Sequence, residues 1–477
     1  MTTPSMHCPT VPRVLMVTLG GATYEVLVPL AESGTMPNLA GLLRSAALAR
    51  LRLPGPCNES VAWGTLESGG GPGVHGLLDD CYLDHRRRGL LPGHVRPLPC
   101  PTLANLVGGA EGEAAAVQLA DVPRRVRIWQ GRPTTFAELC RGIARTEAAI
   151  RGAVAAAVEI DRSRPWRLLD VRLTALDSLL HRLWHMLGIG GGPGGSRQWV
   201  AKTREAFRTL DDCLGELAEL AGRRGAAVVL VSPYGFSPFR EKITLSELLR
   251  RRGLLQMAQG RARLGYRLSR LAWKARQRFG PKPACQSVSG LLAADMRRTR
   301  AVSLHGQSAA LVYLNTPARF GTRVLRSGRQ YEQAMADVWA ALCEAQHPVT
   351  HEPLFEEVYL TAARFGCDPL ARFWPELVAI PAAGFYVRHR LDRHRHLMRT
   401  DCSLSAARNG EGLMMVHAPQ VMLGKPCTAE LADVAPTVLA LLGLGPAASM
   451  TGGVVEDLFV REPLPAERLR HHPLRIT

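Results

Sequence analysis

Asp177 and His181 stand four residues apart in the stretch LTALDSLLHRLWH. On a helix that spacing puts a carboxylate and an imidazole on one face, where both can reach one divalent metal. Two protein ligands hold zinc weakly, since structural sites use four and catalytic sites three. Other reactive side chains are less organised. Cys57 has no base assignable to it, and a lone cysteine is more often an inert core residue. His389, His394 and His396 fall in the run RHRLDRHRH, where neighbouring cations oppose metal binding. The glycine-rich GGGPGVHG lacks the Lys-Ser/Thr of a phosphate-binding loop and the spacing of a dinucleotide fingerprint.

The elements that must position these residues read as alternating strands and helices. Val14–Leu19 is an apolar run closed by Gly20-Gly21, which predicts a buried strand entering a loop. Apolar residues at helical spacing predict a helix over Pro37 to Leu48. Pro54–Gly76 reads as a glycine- and proline-rich loop around Glu59 and Ser60, with a short helix at Val61–Leu66. Phe136, Leu139, Ile143, Ile150, Val154 and Val158 mark one face of a long helix. A strand over Leu168–Thr174 then leads directly to Asp177. Phe207, Leu210, Leu214 and Leu217 mark the next helix, and Ala226–Ser232 the next strand. Leu311–Leu314, Leu377–Ile380 and Leu413–Val416 read as further strands, Met335, Val338, Trp339 and Leu342 as a helix face, and Asp433–Leu442 as a helix with proper start and stop signals. This rhythm predicts an α/β fold with a mainly parallel sheet.

The 477-residue chain carries a formal net charge of +18. So basic a balance fits an anionic partner, yet only five of its 59 basic side chains are lysine, which reads as the compositional drift of a GC-rich genome. No RNA- or DNA-binding motif appears. Arg250–Pro283 has no acidic residue and interleaves Leu264, Leu268, Leu271 and Trp273 with arginines. It reads either as an amphipathic element for an acidic or membrane surface, or as a solvated helix with its leucines on the protein body. Eleven cysteines without a CxxC pair predict reduced thiols in the cytoplasm. No signal-peptide core is visible, and no apolar stretch approaches the ~18 residues of a spanning helix.

Several segments carry more than periodicity. They are VLMVTLGGATYEVLVPLAESGTMPNLAGLL, VAWGTLESGGGPGVHGL, LTALDSLLHRLWH, FRTLDDCLGELAE followed by VVLVSPYGFSP, DMRRTRAVSLHGQSAALVYLN, WPELVAI and LADVAPTVLALLGL. Together and in order, over about residues 13 to 458, they resemble the type I phosphodiesterase / nucleotide pyrophosphatase branch of the alkaline phosphatase superfamily. The resemblance implies an alkaline-phosphatase-like α/β/α sandwich over residues 13–460, with a smaller inserted cap region within 240–410. A flexible N-terminus, 1–12, and a basic tail, 461–477, would flank it. It also implies two divalent metals, usually zinc, that clamp a phosphate and activate a Thr or Ser nucleophile. Carried over position by position, the first metal-binding Asp falls at Gly20 and the nucleophile at Glu59, with Ser60 beside it. The central Asp and His are kept as Asp177 and His181. The following Asp-His pair falls at Pro233 and Tyr234, and the last His ligand at about Arg408.

A full two-zinc site is therefore not expected, and one divalent metal, zinc or manganese, is the most these residues imply. The leading expectation is a degenerate phosphodiesterase that binds a phosphorylated or other anionic small molecule, or scaffolds a protein partner. Arg408 would hold the phosphate or carboxylate bidentately. The alternative is an active hydrolase with a rebuilt one-metal centre of Glu59, Asp177 and His181 activating water.

Overall fold

The computed structural model describes residues 12–460, apart from 85–88, 93–97, 112–115, 121–128, 130–131, 188–195, 259–293, 367–373, 390–395, 402–403 and 420. The expected N-terminal segment (save Pro12), the basic tail and most of Arg250–Pro283 lie outside the described residues.

Seven strands form the main sheet: β1 (Val14–Leu19), β2 (Ala47–Arg52), β3 (Ala116–Ala120), β4 (Leu168–Leu173), β5 (Ala227–Ser232), β6 (Glu411–His417) and β7 (Cys427–Glu430). Their order across the sheet is β7-β2-β6-β5-β1-β4-β3. β3, β4, β1 and β5 are mutually parallel, and β7 is parallel to β2. β6 is antiparallel to both its neighbours, β2 and β5, so it alone reverses the common direction. Every residue of β1 is buried, as both faces of a mainly parallel sheet require. Helices α2 (Phe136–Ser163) and α4 (Arg197–Arg224) pack together, and the Pro37–Ser45 helix joins α4. Helix α1 (Glu59–Ser68) packs separately with the helices at Leu103–Glu111 and Val434–Leu441.

The expected mainly parallel α/β architecture is what the chain adopts, with two local differences. The helix predicted over Pro37 to Leu48 stops at Ser45, and β2 begins at Ala47, where side chains alternate between buried and exposed. Trp339, expected on the buried face of its helix, is 39% exposed, whereas Val338 and Leu342 are buried as expected, together with Ala334 and Ala341.

A second body of structure follows β5. Strands Ala301–Val302, Ala310–Leu314, Leu377–Pro381 and Phe355–Leu360 form an antiparallel sheet in that order. The helix at Gly328–Cys343 contributes Ala334, Val338, Ala341 and Leu342 to a core of its own with Ile243, Leu248, Val312 and Leu377.

The topology gathers the chemically interesting positions at one edge. Gly20 follows the end of β1, helix α3 (Ala175–Leu183) follows β4, and Pro233-Tyr234 follows β5. β6 runs the other way, so the residues before it arrive at the same edge. Ligands of open α/β sheets bind there, outside the carboxyl ends of the strands. Gly21 follows β1 with a φ of +80°, and a β-carbon there would clash with the edge of the Phe236 ring at Cε2. Gly34 also has positive φ, +71°, but faces open space. Gly34→Ala should therefore cost about 1 kcal/mol for its backbone alone, and Gly21→Ala roughly 2–4 kcal/mol because packing strain is added. Urea unfolding of the two variants against wild type checks the difference.

Candidate functional site

Asp177 lies in the first turn of α3, where a negative charge meets the positive end of the helix. Its backbone N–H closes the turn by donating to Thr174 O at 3.1 Å. His181, one turn later, donates from Nδ1 to Ala406 O at 3.0 Å. That bond leaves Nε2 as the ring's acceptor, 3.8 Å from Asp177 Oδ2. Burial lowers the imidazole to about 4, outweighing the Asp177 charge that raises it. His181 is thus neutral at pH 7, with Phe236 edge-on to its ring at a centroid distance of 4.7 Å.

Arg408 is carried by a strand that sequence reading did not find. Ala406–Asn409 pairs antiparallel with Gly235–Pro238, and Arg408 stands opposite Phe236. This ribbon fixes the arginine's place, and its backbone N–H donates to the Tyr386 hydroxyl at 2.9 Å. The guanidinium then meets Asp177 fork to fork: Nε donates to Oδ1 at 2.7 Å and Nη2 to Oδ2 at 2.7 Å. Two parallel charge-assisted bonds of this kind are the strongest polar contact that side chains make. The guanidinium carbon lies 5.1 Å from the Tyr234 ring centroid. Burial disfavours the Asp177 carboxylate, but Arg408, helped by His181 and Tyr234, more than offsets it and holds the carboxyl below its usual range.

Tyr234 has a place in this network although it matches a metal-ligand position of the resemblance. Its hydroxyl donates to Asp177 Oδ1 at 3.1 Å. Burial, then the charges of Asp177 and Glu59, push the phenol well above its usual value, so it stays a donor. Pro233 contributes no polar side chain. Gly20 has no room for one as the structure stands: a β-carbon there would come 3.1 Å from both Asp177 Cβ and Asp177 N.

Glu59 and Ser60 open α1, and both are half-buried. Asn58 caps that helix, its Oδ1 accepting from Val61 N at 3.0 Å. The short helix expected at Val61–Leu66 is longer at both ends: the Asn58 cap starts it at Glu59, and the left-handed Gly69 ends it after Ser68. Ser60 N donates to Asp80 Oδ1 at 3.0 Å. Sequence reading missed Asp80, which sits in no motif. Cys57 donates to Asn409 O at 2.9 Å, and burial pushes its thiol up to about 12, which keeps it unreactive.

The structure thus brings Asp177, His181, Tyr234 and Arg408 together, with Glu59 on the same rim through its effect on Tyr234. Among the described residues, no three His, Cys, Asp or Glu side chains group as a metal site would need. Nor do the residues present fit a pair of divalent metals. Gly20 and Pro233 offer no donor, and both Asp177 oxygens are bonded to a cation. The fork of Arg408, expected to hold the phosphate or carboxylate of a ligand, meets the carboxylate of Asp177 in this structure.

The profile of the type I phosphodiesterase / nucleotide pyrophosphatase family matches residues 120–397, more than half of the chain. No curated protein matches it. Among the described residues, no helix is long and apolar enough to cross a membrane.

The state of His181 has a measurable consequence. The folded imidazole stays neutral down to about pH 4, while its ordinary value is 6.5. Between those values the unfolded chain binds more protons, so this group's contribution to stability is complete above about pH 6.5 and is lost as pH falls toward 4. His181→Asn keeps a donor for Ala406 O but cannot titrate. Its stability should fall less steeply over that window, by up to about 3 kcal/mol at the acid end. Chemical unfolding of both proteins between pH 4 and 7 checks this.

Proposed function

We infer that this chain, which belongs to the type I phosphodiesterase / nucleotide pyrophosphatase family, is a degenerate member that binds rather than hydrolyses. The observation that carries the reading is the bidentate Arg408–Asp177 pair. A phosphodiesterase of the two-metal type needs Asp177 free to bind a metal and a hydroxyl placed to attack phosphorus. Here both Asp177 oxygens are engaged, Oδ1 by a guanidinium and a phenol and Oδ2 by the same guanidinium. The position the resemblance gives to the nucleophile is Glu59, whose carboxylate cannot do hydroxyl chemistry. Ser60 beside it is held through its backbone to Asp80.

The function that remains is that of a binding scaffold. Asp177 neutralises Arg408, so the centre offers a phosphate little net positive charge. That favours a protein partner over a phosphorylated small molecule. We place the protein in the cytoplasm, on the strength of eleven cysteines that include no CxxC pair.

With zinc or manganese supplied, hydrolysis of bis(p-nitrophenyl) phosphate should stay at the uncatalysed background, and Asp177→Ala should change nothing. Robust metal-dependent turnover in wild type, abolished by Asp177→Ala, would sink the reading.

A further inference from the structure

We propose that Arg408 is the residue that keeps a divalent metal out of this centre, and that Asp177 and His181 remain a latent half-site which an imidazole at position 408 would complete. The proposal rests on the non-hydrolytic reading above and goes past it, to what holds the site in its present state.

Three observations carry it. First, His181 is still posed as a ligand. Metal-binding histidines commonly donate the far ring nitrogen to a carbonyl, which fixes the tautomer and aims the other nitrogen. His181 Nδ1 donates to Ala406 O at 3.0 Å, and Nε2 is left as the acceptor. Secondly, that nitrogen and Asp177 Oδ2 are 3.8 Å apart. Two donors each 2.0–2.1 Å from a tetrahedral metal are separated by about 3.4 Å, so a shift of roughly half an ångström closes the pair on one ion. Thirdly, Arg408 bonds both oxygens of the carboxylate such an ion would need. A fixed cation there opposes a second cation by charge as well as by occupancy.

The backbone at position 408 does not depend on the guanidinium. It is held by ribbon pairing with Phe236 and by the bond from Arg408 N to Tyr386. Arg408→His should therefore present its ring to the same place, and the neutral Arg408→Gln should remove the opposing charge without adding an imidazole.

The test is titration with cobalt(II) at pH 7.5, read by visible d–d absorption and by calorimetry, with circular dichroism and thermal melting as controls for folding. Wild type should show no saturable site. Arg408→His should bind about one equivalent at least tenfold more tightly than wild type, and Arg408→His/His181→Ala should lose that gain. Arg408→Gln should show a smaller, metal-dependent rise in Tm. Recovery of folded Arg408→His only when cobalt is present would also support the proposal. Stoichiometric cobalt in wild type that vanishes in His181→Ala would overturn it. So would a folded Arg408→His no better than wild type, or an Arg408→His that stays unfolded with cobalt beside a folded, metal-blind Arg408→Gln. The readout is binding alone. A hydrolytic wild type defeats the functional reading, and a metal-blind Arg408→His defeats this one, so the two failures are told apart.

Discussion

Two hydrogen bonds of 2.7 Å between Arg408 and Asp177 join positions 231 residues apart. They tie the helix that leaves β4 to the ribbon that enters β6. A carboxylate and a guanidinium taken out of water are each costly, and only close pairing with further hydrogen bonds offsets the loss. The neighbours supply those bonds. Tyr234 donates to Asp177 and lays its ring near the guanidinium, and Tyr386 accepts from the Arg408 backbone. His181 is held as a neutral ring, since a second cation next to Arg408 would have to share the same Asp177 carboxylate. Its depressed pKa is therefore a consequence of the pair's surroundings, with burial as the larger cause.

Charge balance also accounts for which positions are polar and which are not. The resemblance gives two metals to this edge of the sheet, and several carboxylates to balance them. With a single guanidinium as the cation, one carboxylate is enough. Asp177 provides it, while Gly20 and Pro233, at positions the resemblance assigns to further ligands, carry no charge. A second carboxylate at position 20 would crowd Asp177, because even a β-carbon there approaches Asp177 Cβ to 3.1 Å. It would also set a like charge beside the first with no cation to spare. On the reading proposed here, the changes at positions 20, 233, 234 and 408 are one change, from a metal-balanced site to a self-neutralised one.

How much of this the sequence displayed depended on whether a position belongs to a pattern. β1, β5 and the Leu413–Val416 centre of β6 are apolar runs, and burial on both faces makes such runs continuous, so they could be read directly, whereas β4 is interrupted by Asp170 and Arg172. β2 was hidden because the apolar spacing of the preceding helix runs on into it without a break in composition. The ribbon of Gly235–Pro238 and Ala406–Asn409 has no period of its own, since pairing across more than 160 residues creates it. For that reason Asp177 and His181 could be picked out by their spacing on a helix, whereas their partner could not. Arg408 was placed by its distance from a strand, and nothing in its neighbours showed which carboxylate it would meet. Tyr234 shows the converse: its place in the sequence reads as a lost ligand, but its hydroxyl is used.

The same use of polar groups extends beyond the centre. His305, in the second body, bonds Asp79 Oδ2 through Nδ1 at 2.6 Å and the Tyr313 hydroxyl through Nε2 at 2.7 Å. With both nitrogens engaged, the ring's orientation is fixed. Trp374 Nε1 donates to Gly76 O at 3.1 Å, close to the same attachment. The segment from Gly76 to Asp80 is in turn tied to the start of α1, through Asn58 Nδ2 donating to Leu78 O at 3.1 Å and Ser60 N donating to Asp80. A chain of satisfied donors and acceptors thus runs from the second sheet to the rim where Glu59 sits. Reactive groups need an unmet bond or a shifted pKa that favours their active form. In this chain Cys57 is held as a thiol, His181 as a neutral ring bound to a carbonyl, and Asp177 as a carboxylate paired with a guanidinium. Such an arrangement fixes the geometry at this edge of the sheet and leaves each of these groups engaged, as the binding role proposed above would require.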